Sequence, residues 1–143
     1  MEQQALRAVP ERDALDVLVH YARAIADEMG LRDYEVAVSE EPPLVPRVRA
    51  TVKVHPDRKI VRLAFCDGFQ SLPEDEQRHV VCHELAHVHL ARAAEVLLEA
   101  VAEEIGGSAR RILEFQVRRE IETATEAVAC FHAQYLPMID WGR

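Results

Sequence analysis

His83-Glu84-Leu85-Ala86-His87 sets two imidazoles four residues apart, with a carboxylate beside the first. On a helix such positions lie about 40° apart around the axis and one turn along it, so both rings can aim a nitrogen at one cation. Zinc accepts that geometry. Glu84 lies too far round the helix to be the next ligand, and its carboxylate can instead reach a water held on the ion and act as a general base. Val80, Val81, Cys82, Leu85, Ala86 and Val88 surround the motif and make the segment read as a buried helix. Histidines that merely hydrogen-bond inside a core are the plain alternative, but burying two imidazoles and a carboxylate together without a cation is costly. His-Glu-x-x-His on a helix is the signature of zinc metalloproteases.

A catalytic zinc takes three protein ligands and leaves one place open for water. A third histidine ten residues after His83, as in metzincins, would fall on Ala93, and one five residues after His87, as in SprT-like proteases, would fall on Arg92. His89 lies on the far side of the helix from His87 and reads as a surface residue or one that supports the site from outside. A carboxylate remains, and residues 119–128 supply Glu120, Glu122 and Glu126. If two helices fold back antiparallel about Gly106-Gly107, His87 faces Glu126, His83 faces Cys130, and Glu122 falls a turn beyond, opposite Ala91. Glu126 also interrupts an otherwise apolar side carrying Ile112, Phe115 and Cys130, where a carboxylate needs a cation or hydrogen bonds. Glu126 is therefore the expected third ligand, with Glu122 as the fallback ligand or as a carboxylate that orients a histidine. His79, His132 and Tyr135 are candidates for stabilising an oxyanion.

These residues need a scaffold. Pro10-Glu11-Arg12-Asp13 reads as a helix start, and Leu15, Val17, Leu18, Tyr21, Ala22, Ile25 and Met29 form its apolar stripe up to Gly30. Residues 34–38 alternate like a short strand, and Pro42, Pro43 and Pro46 then impose a loop. Val48, Ala50, Val52 and Val54 alternate with Arg47, Arg49, Thr51 and Lys53, which predicts a strand with one apolar and one basic face. A turn at residues 55–58 leads into the apolar strand 60–65, giving a hairpin. Ser71 and Glu74 have capping-box spacing, so the metal-site helix should start near Leu72. It can run to Gly106-Gly107, or break near residues 90–94, since an unbroken helix would span roughly 50 Å. Ser108 reads as the cap of a last helix ending near Tyr135. The expected architecture is α+β, a small, mostly antiparallel sheet packed on three or four helices, in a single domain covering residues 1–143.

The chain has 143 residues, 49% of them hydrophobic, and a formal charge of −8. That charge, with a pI near 5.3, disfavours general nucleic-acid binding. Residues 1–8 lack the apolar run of a secretory leader, and no unbroken apolar stretch is long enough to span a membrane. Cys66, Cys82 and Cys130 are odd in number and form no close metal-binding pair, which points to free buried thiols and a cytoplasmic setting. No feature of the sequence defines an oligomer.

Val81-Cys82-His83-Glu84-Leu85-Ala86-His87, the later Glu126-Ala127-Val128-Ala129 running into Leu136-Pro137, a leading helix and a short sheet together resemble the gluzincin metallopeptidases. Within that class the chain more closely resembles the minimal zincins of the ImmA/IrrE type and their phage-borne relatives. The helical segment 91–118 is long for that family. The resemblance implies a zincin-like fold, Zn2+ held by His83, His87 and Glu126, Glu84 as catalytic base, and hydrolysis of a peptide bond in an intracellular protein or peptide. The rival expectation is a non-enzymatic zincin-fold binding module, its metal structural, contacting a protein or DNA through Arg47, Arg49 and Lys53.

Overall fold

The computed structural model describes residues 11–142; Pro10, expected to open the first helix, and the N-terminal residues 1–8 lie outside them. Three helices and a three-stranded sheet form an α+β fold: α1 (Glu11–Glu28), β1 (Glu35–Val38), β2 (Ala50–His55), β3 (Ile60–Phe65), α2 (Glu74–Glu104) and α3 (Gly107–Ala133). The stripe predicted for α1 is its buried side, with Leu18, Tyr21, Ala22, Ile25, Ala26 and Met29 all in the core. Gly30 ends α1 at φ +80°, donating to Asp27 O while Leu31 donates to Ala26 O. That paired closure needs a left-handed residue, which glycine adopts without strain.

The sheet order is β1-β3-β2, so β3 is central and β2 has one unpaired edge. β2 and β3 form the expected antiparallel hairpin, Ala50 opposite Phe65 and Val54 opposite Val61. The other pairing is parallel, Val36 beside Val61, which makes the sheet mixed. The proline-containing connection after β1 carries the chain to the far edge, and the hairpin then returns β3 into the gap alongside β1. Arg47 has φ 66°, a turn conformation, so β2 starts later than its alternating sequence suggests and the basic face is shortened. Arg49 forms an ion pair with Glu76 of α2, pinning the start of β2 to that helix.

α2 runs unbroken for 31 residues, about 46 Å at 1.5 Å per residue. Its start departs from expectation. Ser71 belongs to a short 3-10 turn, Pro73 occupies the cap position, and no side chain caps the helix. Buried Gln77 performs the tethering instead, donating through Nε2 to Gln70 O and Leu72 O at 3.0 and 2.8 Å. Trp141 Nε1 donates to the same side chain's Oε1 at 2.9 Å, so one amide holds both the entry to α2 and the C-terminal segment. Glu74, Asp75 and Glu76 add negative charge where the helix dipole is positive.

Ile105 and Gly106 are both extended, and α3 starts at Gly107 (φ +66°), with no side-chain cap from Ser108. After α3 the chain straps back across the body: Leu136 and Ile139 are buried, Tyr21 Oη donates to Pro137 O at 2.6 Å, and Arg78 Nη1 donates to Leu136 O at 3.0 Å. The core lies among α1, the sheet, the first half of α2 and the end of α3. Val81, Cys82, Leu85 and Ala86 from α2 meet Val61 and Leu63 from β3 and Ala129 from α3 in it.

Candidate metal centre

α2 presents His79, His83 and His87 one turn apart, and α3 answers with Glu122 and Glu126, also one turn apart. Every carboxylate oxygen of that pair faces an imidazole nitrogen. Glu122 Oε1 lies 2.8 Å from His83 Nε2, and Glu122 Oε2 lies 3.3 Å from His87 Nε2. Glu126 Oε2 lies 2.6 Å from His83 Nδ1, and Glu126 Oε1 lies 2.8 Å from His79 Nε2.

The hairpin brings the expected residues together, but about one helical turn out of the expected register. His87 faces Glu122 rather than Glu126, and Glu126 reaches His83 and His79. α2 ends at Glu104, and extended Ile105 and Gly106 are spent on the crossing, so the chain turns back before the two glycines rather than between them. Ile112, Phe115 and Cys130 are exposed rather than inward, so the face on which Glu126 seemed an intruder is a solvent face. Cys130 Sγ contacts Glu126 Oε1 at 3.4 Å instead of facing His83. Of the three free cysteines only Cys82 is buried.

His83, His87 and Glu122 direct donor atoms at a common point, and their chemistry fits a divalent cation such as zinc. Protons alone leave a conflict, since His83 meets a carboxylate oxygen at each nitrogen while a neutral imidazole has one N–H to donate, and charging both rings would set like charges 5.0 Å apart between centroids. Burial, opposed by Glu122, holds the His87 ring below its ordinary pKa, so it is a neutral imidazole with a lone pair to give. One donor atom of each of the three residues lies within 4.8 Å of the other two, a spread that a single divalent cation between them would span.

Each imidazole also has a partner on its other nitrogen. Glu126 accepts from Nδ1–H of His83, which leaves Nε2 to face the cation position. Thr125, fully buried, donates its hydroxyl to Ile121 O at 2.8 Å and keeps a lone pair toward His87 Nδ1, at a long 3.5 Å. Sequence reasoning missed Thr125. Its one readable sign was a hydroxyl amid the apolar positions of α3, three residues after Glu122. Burial raises the Glu126 carboxyl, but hydrogen bonds from His83, then Cys130 and His79, outweigh it and hold the group below the ordinary carboxylate range.

Glu84 projects beside this cluster, and burial pushes its carboxyl up to about 7, with Glu122 adding to the rise and His83 opposing it. A cleft of about 490 Å³ opens over His83, Glu84, His87 and Glu122, walled by Val48, Val52 and Val54 on one side and by Ala91, Ala94 and Ile121 on the other. Of the remaining candidates, His79 is at the cluster, whereas His89 and His132 stack on each other at 6.4 Å. Tyr135 is exposed and packs its ring edge against Phe131. Arg49 is engaged by Glu76, while Arg47 and Lys53 are exposed. No known protein family, curated protein or solved structure matches the chain. Among the described residues, no helix is long and apolar enough to cross a membrane.

Proposed function

We propose that the protein is a zinc-dependent metallopeptidase of the gluzincin kind, hydrolysing a peptide bond in a cytoplasmic protein or peptide substrate. The observation that carries this reading is the convergence of His83 Nε2, His87 Nε2 and the Glu122 carboxylate beside a half-buried Glu84, all opening on one cleft. The register favours Glu122 as third ligand and gives Glu126 the orienting role, the reverse of the assignment expected from an ideal hairpin.

A cation held there supplies Lewis acidity to a carbonyl oxygen and acidifies water. Glu84 accepts a proton from the attacking water and passes it to the leaving amide nitrogen. Glu126 fixes the His83 ring through Nδ1, and Thr125 limits rotation of His87. The free edge of β2 borders the cleft, so an extended substrate can add to the sheet there, its backbone pairing with the strand and apolar side chains meeting Val52, Val54 and Ile121. Three unpaired thiols accord with a reducing compartment.

The test is metal content and hydrolysis of an unstructured protein, compared across Glu84→Gln, Glu122→Ala and Glu126→Ala. Glu84→Gln should keep the ion and lose turnover, Glu122→Ala should lose tight binding, and Glu126→Ala should weaken it by about 10–100-fold. Full turnover by Glu84→Gln, or a biological effect untouched by that change while zinc removal unfolds the protein, would make the metal structural and end the enzyme reading.

A further inference from the structure

His83 is the only imidazole of the ladder that meets a carboxylate at each nitrogen, Glu122 Oε1 at Nε2 and Glu126 Oε2 at Nδ1. The atoms of His79, His83 and Glu126 gather as closely as those of His83, His87 and Glu122, in two groups sharing one ring. We propose that His79 Nε2, His83 Nδ1 and Glu126 form a second, alternative cage for a divalent cation, outside the first and exclusive with it.

The exclusivity follows from the ring. A neutral imidazole has one N–H and one lone pair, so it binds an ion through either nitrogen but not through both. With the ion in the inner cage, Nδ1 carries the hydrogen and donates to Glu126. Moving the ion to the outer cage requires the hydrogen to move to Nε2, where Glu122 Oε1 stands 2.8 Å away to accept it. The proton count is unchanged, and whichever cage holds the ion, the other carboxylate takes the N–H. Both cages reach the surface: His79 is 35% exposed against 26% for His87, and Glu122 is 57% exposed against 47% for Glu126. The outer cage lacks Glu84, which lines the cleft with the inner cage. An ion there is bound but hydrolytically idle, and it exchanges with the inner cage through a tautomer exchange of His83. Cys130 Sγ, 3.4 Å from Glu126 Oε1, is an additional soft donor at the rim of the outer cage.

This inference rests on the inner-cage reading only for its exclusivity, and cobalt(II) separates the two. Metal-free protein is titrated with cobalt(II) alone and bound ion is counted by equilibrium dialysis, in wild type, His87→Ala, His79→Ala/His87→Ala and His83→Ala, each checked for helicity. Wild type should bind one cobalt per chain. His87→Ala should still bind one, more weakly, the double variant should bind at least about tenfold more weakly again, and His83→Ala should bind none in either cage. Loss of all cobalt from His87→Ala while wild type stays loaded overturns the outer cage and leaves the inner one standing, as does a double variant that binds as well as His87→Ala. Two ions per chain in wild type overturns the exclusivity. Equal binding by wild type and His87→Ala, abolished by adding His79→Ala, supports the outer cage as the tight site and refutes the inner-cage assignment.

Discussion

α2 and α3 are continuous helices in two different surroundings. Their body half is enclosed: Gln77, Val81, Cys82, Leu85, Ala86 and Val88 of α2 and Thr125, Ala129 and Ala133 of α3 are buried against α1, the sheet and each other. In the other half, residues 89–124, no position is buried, although the sequence is no less apolar. Val96, Leu97, Ile112 and Phe115 are 56%, 48%, 59% and 66% exposed there, because only the two helices themselves are available to cover one another. The histidine–glutamate cluster lies at the junction, on the last turns that still have a core beneath them. Helix geometry sets the spacing of the ligands, but the rigidity of that spacing comes from the core, which the projecting half lacks.

The sharpest difference between the halves is chemical. Glu84→Gln should lower kcat by about 10²–10⁴ with metal content retained, as measured by peptide turnover and metal analysis. No single substitution in residues 95–118 should lower kcat at saturating substrate by more than a few-fold. Next come the packing residues. Leu85→Ala, at a fully buried position, should cost about 2–5 kcal/mol in urea unfolding, and Leu98→Ala in the projecting half less than half of that. Equal costs would mean that the projecting half is covered in solution. Hydrogen exchange on the same protein should show amides of residues 81–88 opening only with global unfolding and those of 96–104 and 108–116 opening far sooner.

A pH effect follows in size. The raised Glu84 carboxyl binds its proton more tightly folded than unfolded, so in metal-free protein its contribution is fully present below about pH 4.5 and is lost as pH rises toward 7. The loss should be no more than about 3 kcal/mol. The depressed His87 works in the opposite sense, its contribution being lost as pH falls below 6.5. Subtracting the Glu84→Gln profile from that of wild type isolates the first. Smallest of all, Phe115→Ser should change stability by within about 0.5 kcal/mol.

How much of this was legible depended on whether the signal was local. The α2–α3 hairpin and the histidine pair follow from periodicity and from Gly106-Gly107, and the structure has both. Which glutamate meets which histidine is a question of register across the hairpin, and no local rule supplies the length of the turnaround. Thr125 escaped for the same reason, since its importance lies in facing His87 from another helix. The apolar positions Ile112 and Phe115 show the opposite limit: a stripe marks one side of a helix as apolar without saying that anything covers it. The parallel β1–β3 pairing and the loss of the Ser71 cap are likewise decided at a distance, by the crossover of the chain and by Gln77.

The interval in sequence between His87 and Glu122 has a consequence during synthesis. The three histidines are made, and can fold into helix, well before either glutamate that faces them exists, a delay on the order of seconds at about 5–20 residues per second. Until translation has passed α3 and Leu136 has seated beneath Arg78, the nascent chain is a histidine-bearing rod without carboxylates to complete either cage. The facing of the histidines by carboxylates therefore waits on α3, and a message truncated within α3 ahead of Glu122 yields a polypeptide in which His83 and His87 have no carboxylate opposite them.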